Sequence, residues 1–98
     1  MIYHVVTGQN WETAKQKGFY EATSLASEGF IHASKKEQVQ GVLGRYYKNQ
    51  TGLLLLHINE SKLISPLKFE LAASINEEFP HIYGRLNLDA VVDVEVLN

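Results

Sequence analysis

The apolar residues of this chain occur in short segments, and this constrains the fold more than any other feature of the sequence. Only two segments show a helical repeat, whereas six have the length and the β-branched, aromatic or alternating composition of strands. The predicted strands are Ile2–Val6, Phe30–Ala33, Leu53–Ile58, Leu67–Leu71, Ile82–Tyr83 and Ala90–Leu97. Because two helices are too few for a repeated βαβ sheet, the pattern predicts the α+β class.

The two helices have different signals. The first is predicted from Asn10, as the N-cap, to a stop at Gly18. The second follows Ser34, which has capping-box spacing to Glu37, and its apolar stripe consists of Val39, Val42, Leu43, Tyr46 and Tyr47. Most of the segment 19–29 is predicted to be loop, and the polar segment 74–78 is predicted to be mobile.

Length and composition indicate one soluble domain over residues 1–98. A hydrophobic content of 45% and a charged content of 20% exclude disorder and a coiled coil. The longest apolar run, Leu53–Leu56, is too short to span a membrane, and no secretory signal opens the chain. We therefore expect a cytoplasmic protein without a membrane partner. The absence of cysteine excludes disulfides, a thiolate nucleophile and cysteine-ligated zinc.

The charge balance does not favour a nucleic-acid partner. Nine basic residues face eleven acidic ones, for a formal net charge of −2, and Lys35-Lys36 is the only adjacent basic pair. Nucleic-acid binding usually relies on a basic excess that neutralises phosphates. A small-molecule ligand is the better expectation.

Four histidines are candidates for chemistry, because histidine changes charge near neutral pH. His4 lies in mid-strand on an apolar face, where it is either functional or a core histidine bonded to a backbone carbonyl. His32 precedes the predicted helix start at Ser34, where free amides suit a phosphate, although Ser34 could simply be a cap. No histidine has metal-ligand spacing, so no metal site is predicted.

The other two histidines differ from each other. His57 ends the leucine run and is predicted to be structural, whereas His81 lies in an irregular segment close to Tyr83 and Arg85. Loop residues of these types are common in binding sites. The sequence contains no Gly-rich dinucleotide fingerprint, no phosphate-binding loop and no Gly-x-Ser-x-Gly elbow.

Three segments together resemble a small bacterial family known as domain of unknown function 952. They are residues Ile2–Thr7, Ser24–Ser34 and Phe79–Leu86. The resemblance covers essentially the whole chain, and the second and third segments are specific. The activity of that family is not established, so the resemblance identifies relatives and does not by itself identify a reaction.

The fold of that family resembles the ADP-ribosyltransferase fold, which implies two small bent β-sheets, two main helices and a nicotinamide cleft between the sheets. The resemblance implies NAD or an ADP-ribose-containing molecule as the ligand, with no other cofactor, and transferase or glycohydrolase activity. Tyr3, His4 and Thr7 match the strand that opens many of these transferases, and His4 takes the ribose-holding position. His32 or Ser34 takes the position that packs the nicotinamide.

The chain departs from the transferases at the late-strand glutamate. The position of that glutamate is occupied in this chain by His81, Ile82 and Tyr83. Two glutamates, Glu77 and Glu78, lie slightly upstream, but neither is on a convincing predicted strand. Enzyme activity is therefore left open. The alternatives are a non-catalytic nucleotide- or partner-binding module on the same fold, and histidine-based hydrolase or isomerase chemistry on an unrelated substrate.

The resulting site prediction has two parts. His4, His32 and His81 are the candidate catalytic residues and are expected to converge in one cleft. The candidate ligand-binding residues are Thr7, Ser24, Ser34, Lys36, Tyr83 and Arg85. Of these, Lys36 or Arg85 is expected to neutralise a phosphate. The identity of any protein partner is not indicated.

Overall fold

The computed structural model describes residues 1–98, and it confirms the α+β class. The strands are β1 (Ile2–Thr7), β2 (Phe19–Tyr20), β3 (Ile31–His32), β4 (Leu53–Ile58), β5 (Leu67–Ala72), β6 (Glu77–Ile82), β7 (Leu86–Asn87) and β8 (Val91–Val96). The α-helices are α1 (Gly8–Lys17), α2 (Thr23–Glu28) and α3 (Val39–Tyr46). Short 3₁₀ turns span Lys36–Gln38, Glu60–Lys62 and Leu88–Ala90. None of the helices is long and apolar enough to cross a membrane.

The strands form three small antiparallel sheets. Their orders are β1-β4-β8, β3-β6-β5 and β2-β7. A single bridge joins the first two sheets: the Tyr3 amide donates to the Ser34 carbonyl at 2.8 Å, and the Ser34 amide donates back at 2.7 Å. The sequence predicted two sheets and two main helices, and the structure has one more of each.

Strand β1 is buried on both faces, as its apolar and aromatic residues require. Ile2 and Val6 pack into the larger core cluster with Trp11 of α1 and Leu56 of β4. The opposite face of β1 packs into a second cluster with the start of α3 and with β4, formed by Tyr3, Val5, Val39, Leu53 and Leu55. Because β1 is buried on both sides, the position of His4, which lies between Tyr3 and Val5 in the strand sequence, is fixed.

Helix α1 begins earlier than predicted. The N-cap is Thr7, whose hydroxyl accepts a hydrogen bond from the Asn10 amide at 3.1 Å, and not Asn10. A threonine hydroxyl that accepts from the third helical amide is a normal cap. The helix ends at Gly18 as predicted, where a φ of 90° suits glycine.

The prediction of loop across most of residues 19–29 is wrong, because β2 and α2 lie there. Helix α2 has six residues, no side-chain N-cap bond and no buried residue, so it lacks the signals that sequence analysis detects. It ends at Gly29 with a φ of 89°. The position of α2 places Glu28 close to β3.

The predicted capping box at Ser34 and Glu37 is also wrong. Ser34 is a buried residue that pairs with β1, and the chain turns after it through Lys36–Gln38 into α3. The Gln38 side chain accepts a hydrogen bond from the Lys35 amide at 2.9 Å instead. In the helix that follows, Val39 and Leu43 of the predicted stripe pack against the second cluster, whereas Tyr46, its last residue, is exposed.

Strand β6 begins at Glu77, so the last two residues of the segment predicted to be mobile, Glu77 and Glu78, lie on a strand, and it extends to Ile82 of the predicted short strand. It pairs with β5 from Ala72↔Glu77 to Leu67↔Ile82, and the intervening turn contains Asn76 with a φ of 54°. Asparagine tolerates this left-handed conformation better than most residues. His81 therefore lies on a strand and not in an irregular segment.

Candidate functional site

A cavity of about 740 Å³ lies where β1, α2, β3, α3 and β6 approach one another. Its volume falls within the range of small-molecule sites, which is roughly 300–1,000 Å³. His4, His32 and His81 all line it, so the predicted convergence of the three histidines is confirmed. Their roles toward a ligand stay a prediction.

His4 has protein partners at both ring nitrogens. Its Nδ1 donates to the His32 carbonyl, because a carbonyl can only accept, and its Nε2 then accepts from the Tyr20 hydroxyl at 2.8 Å. Burial lowers the pKa of His4 to about 4, although the bond to the His32 carbonyl acts in the opposite direction. His4 is therefore neutral near pH 7. It has the carbonyl bond expected of a core histidine, and a ligand would bind its nitrogens only by displacing Tyr20 or His32.

His32 and His81 are direct neighbours across β3 and β6. Their ring centroids are 5.3 Å apart, with planes at 76°. Phe30 packs against both rings, stacking on His81 at 4.0 Å and 17° and meeting the edge of His32 at 4.8 Å. The strand register and this aromatic contact hold the two imidazoles side by side at the cavity wall.

Each of these two histidines contacts its own carboxylate. The His32 Nε2 lies 3.0 Å from a Glu28 oxygen, and the His81 Nδ1 lies 2.8 Å from a Glu70 oxygen. Glu70 also accepts a hydrogen bond from the Tyr83 hydroxyl. The bond from Tyr83, and then that from His81, lowers the pKa of Glu70, so Glu70 is a carboxylate near neutral pH. The same bond raises the pKa of Tyr83.

The predicted ligand-binding residues divide into two groups. Thr7, Ser24 and Ser34 line the cavity. The Ser24 hydroxyl donates to the Phe30 carbonyl at 2.8 Å, and the Thr7 hydroxyl caps α1, so both hydroxyls also stabilise the wall.

Lys36, Tyr83 and Arg85 are not brought to the cavity wall. Lys36 is exposed at the start of a 3₁₀ turn, and the hydroxyl of Tyr83 is bonded to Glu70. The guanidinium of Arg85 lies over the Phe19 ring, and its Nε is 3.3 Å from a Glu21 oxygen. None of the residues that line the cavity is lysine or arginine, so the expected phosphate-neutralising role of Lys36 or Arg85 does not fit this geometry.

Glu77, Glu78 and His57 lie outside the cavity. The Gln38 side-chain amide donates to the Glu77 carboxylate at 3.2 Å and to the Glu78 carbonyl at 2.8 Å. His57 is on β4, where its Nε2 is 2.8 Å from a Glu95 oxygen and its ring meets the edge of Tyr3. These contacts serve the fold.

Several residues of the site were not predicted from the sequence. Tyr20, Glu28 and Phe79 line the cavity, whereas Phe30 and Glu70 support its histidines from behind. Glu28, Phe30 and Phe79 lie within the family segments, a few residues before His32 or His81, and this is a usable signal. The other contacts depend on strand register. No group of three or more histidine, aspartate or glutamate side chains is arranged to hold a metal ion.

Comparison with known proteins gives solved structures of the same fold from a somewhat longer relative. The crystal structure of protein CC0527 from Caulobacter crescentus has a TM-score of 0.90 at 31% identity, covering 99% of this chain and 85% of that chain. The solution NMR structure of CC0527 has a TM-score of 0.85 at 31% identity, with 99% and 84% coverage. A search of curated proteins finds no match. The family model described as "Protein of unknown function (DUF952)" matches residues 5–94, and the chain therefore belongs to the DUF952 family.

Proposed function

We propose that the cavity binds an NAD-type nucleotide, either NAD itself or a molecule that contains ADP-ribose. The observation that carries the proposal is the meeting of two family segments at one cavity. Strand β1 supplies His4 and Thr7, and the segment around β3 supplies His32 and Ser34. These are the positions that correspond, by resemblance, to the ribose- and nicotinamide-holding elements of ADP-ribosyltransferases.

The sheet arrangement supports an ADP-ribosyltransferase-like fold as part of this proposal. The two three-stranded sheets share one isolated backbone bridge, that between Tyr3 and Ser34, and the cavity opens beside that bridge. Two small sheets with a cleft between them are the arrangement that the resemblance implies.

The start of α1 is the proposed location for a phosphate. Thr7 and Asn10, in the first turn of this ten-residue helix, line the cavity. The Gly8 amide donates to the Gly52 carbonyl and the Asn10 amide to the Thr7 hydroxyl, so the attraction of an anion to this N-terminus comes from the positive dipole end of the helix. This location replaces the expected pairing of phosphate with Lys36 or Arg85.

Glu28 is the carboxylate that we propose stabilises the transition state for cleavage of the nicotinamide–ribose bond. It is a carboxylate-bearing residue on the cavity wall, whereas Glu77 and Glu78 are not on that wall. Departure of nicotinamide leaves an oxocarbenium-like ribose, which a fixed carboxylate stabilises electrostatically. Glu28 thus takes the role that no late-strand residue supplies.

A negative charge introduced at the cavity end of α1 tests nucleotide binding, because it should repel a phosphate there. A ligand at a hundredfold excess over its Kd stabilises the folded state by about 2.7 kcal/mol, and a domain of about 100 residues gains roughly 4–8 °C per kcal/mol. We expect NAD or ADP-ribose to raise the Tm of the wild type, and Asn10→Asp to abolish that rise. The matched control is Gln9→Asp, which adds the same charge to the same turn outside the cavity and should retain the rise.

Both variants should raise the Tm of the ligand-free protein slightly, since an acid in the first turn of a helix is worth about 0.3–1 kcal/mol. Release of nicotinamide that is lost in Glu28→Gln would identify an enzyme. A Tm shift without release would identify the alternative, a non-catalytic binding module. If neither NAD nor ADP-ribose changes the Tm at millimolar concentration, the nucleotide proposal is wrong.

A further inference from the structure

His32 and His81 on the cavity wall each pair with a carboxylate, and cleavage of NAD requires no proton transfer by either imidazole. Nicotinamide leaves ribose as a neutral pyridine, so its departure needs no proton. The pairs Glu28–His32 and Glu70–His81 instead have the arrangement that orients imidazoles for proton transfer. Their presence points to a bond whose leaving group must be protonated.

The hydrogen bonds leave one nitrogen of each ring available. Glu70 occupies the Nδ1 of His81 from outside the cavity, which leaves its Nε2 for a bound molecule. Glu28 occupies the Nε2 of His32, which leaves its Nδ1. With centroids 5.3 Å apart and both residues on the cavity wall, the two rings can contact a single bound molecule.

The surroundings of the two rings differ, and the difference suggests their roles. The side chain of His32 is 53% exposed, so water reaches it, whereas that of His81 is 14% exposed. His81 lies between the Glu70 carboxylate and the face of Phe30, which shield it from water. His32 therefore suits a general base that activates water, and His81 suits a general acid.

The charge of the cavity wall indicates a ligand with little negative charge. The wall contains Glu21 and Glu28 and no lysine or arginine. The negative charge of a pyrophosphate would be compensated only at the start of α1. A nucleoside, or a nucleoside with a single phosphate at α1, needs no cationic side chain on this wall.

We propose that His32 and His81 form a general acid–base pair that hydrolyses the N-glycosidic bond of purine ribosides. The proposal rests on the proposed function in that it places ribose in the same cavity. It differs in the leaving group, because a purine departs readily only when a ring nitrogen receives a proton.

The reaction adds one water molecule across the bond. The His32 Nδ1 takes a proton from water while the water oxygen bonds to C1′ of the ribose. The C1′–N9 bond breaks, its electron pair goes to the purine, and the His81 Nε2 gives the purine a proton. The products are the free purine and the ribose or ribose phosphate, and the two imidazoles regain their starting states by proton exchange with solvent.

The test compares leaving groups. Wild-type protein is incubated with inosine, AMP and 4-nitrophenyl β-ribofuranoside, whose phenolate departs without a proton. We expect release of free purine from inosine or AMP, and His81→Gln to reduce it by about a hundredfold to ten-thousandfold. The rate of hydrolysis of the nitrophenyl riboside should fall at least tenfold less in His81→Gln than the rate of purine release. In His32→Gln, the hydrolysis rates of both substrates should fall by similar factors.

The chain contains a matched control in His57→Gln. His57 also pairs with a carboxylate, that of Glu95, but outside the cavity. This variant should keep the wild-type rate. Glu70→Gln tests positioning, because it should change the pH profile of purine release more than the KM.

Three outcomes would overturn the proposal: no purine release by folded wild-type protein, equal rates for wild type and both histidine variants, or equal losses in His81→Gln on both leaving groups. If His81→Gln does not fold, the wild-type pH profile decides. It should be bell-shaped for the purine riboside and have a single limb for the nitrophenyl riboside. A Tm shift by NAD without purine release would contradict this inference alone, whereas absence of both would contradict the proposed function as well.

Discussion

At the scale of single residues, His4 connects the stability of the fold to the cavity. It is 8% exposed, and its two bonds join β1 to Tyr20 of β2 and to the backbone of β3. A protonated His4 would lose the bond from the Tyr20 hydroxyl and would be a buried charge. The neutral imidazole is thus a condition for the native arrangement of three strands.

This condition predicts a pH dependence of stability. The pKa of His4 is about 4 in the folded state and ordinarily 6.5, so between these values the unfolded chain binds more protons than the folded one. The free energy of unfolding should therefore decrease as the pH falls from about 6.5 to 4, by roughly 3 kcal/mol in total. The measurement is the urea midpoint across this range.

His4→Gln should be less stable at pH 7 and should lose most of this pH dependence, whereas His57→Gln should retain it. Glu70 does not obscure the result. Its pKa is lowered in the folded state, so its contribution is present above the ordinary glutamate value and is lost at lower pH than that of His4. If the free energy of unfolding has the same pH profile in wild type and His4→Gln, the pH dependence does not come from His4.

The residue scale also shows what sequence could and could not reveal. The convergence of His4, His32 and His81 was predictable, because each lies in one of three segments that resemble one family. The partnership of His81 with Glu70 was not, because it requires the register of β5 on β6. Nor could the exclusion of Arg85 be foreseen, since Glu21 holds it from a distant part of the chain.

At the scale of elements, α2 and the β5–β6 hairpin build the two carboxylate contacts. Helix α2 carries Glu28 to His32, and the hairpin sets Glu70 beside His81. Strand β5 was predicted, whereas α2 and β6 escaped prediction for physical reasons. The helix is too short for a clear repeat, and β6 combines two glutamates with Pro80, which is disfavoured inside a sheet. Strands β1 and β4 have buried apolar patterns and were predicted nearly to the residue, whereas α3 was predicted as a helix but begins several residues later than expected.

The end of α2 gives a prediction at this scale. Gly29 has a φ of 89° and open space around its Cβ position, so Gly29→Ala should lower the free energy of unfolding by about 1 kcal/mol through backbone conformation alone. Gly44, inside α3 and equally unhindered, is the matched control. Gly44→Ala should raise stability by roughly 0.5–1 kcal/mol, because alanine is the better helix former.

The measurement is equilibrium urea unfolding of both variants at pH 7. Gly29→Ala should also displace Glu28, so the NMR signals of the His32 ring should move in this variant and stay unchanged in Gly44→Ala. Equal effects of the two alanines on stability would contradict the left-handed cap.

At the scale of the whole molecule, the core and the cavity wall unite all three sheets. One apolar cluster includes Ile2 of β1, Tyr20 of β2 and Ile82 of β6. Because these residues share one core, we expect a single cooperative unfolding transition, with Trp11 fluorescence and far-UV circular dichroism giving coincident curves.

Gln38 is the polar connection between the helical side of the molecule and the β5–β6 hairpin, and it gives the prediction at this scale. It is buried, and its side chain accepts from the Lys35 amide while donating to the Glu78 carbonyl at 2.8 Å. Gln38→Ala leaves these partners unsatisfied and should destabilise the protein by about 1–3 kcal/mol. The neighbouring Gln40 is exposed, so Gln40→Ala should stay within roughly 0.5 kcal/mol of wild type. Urea unfolding measures both, and a loss in Gln38→Ala no greater than in Gln40→Ala would mean that the hairpin is held to the molecule by its apolar contacts alone.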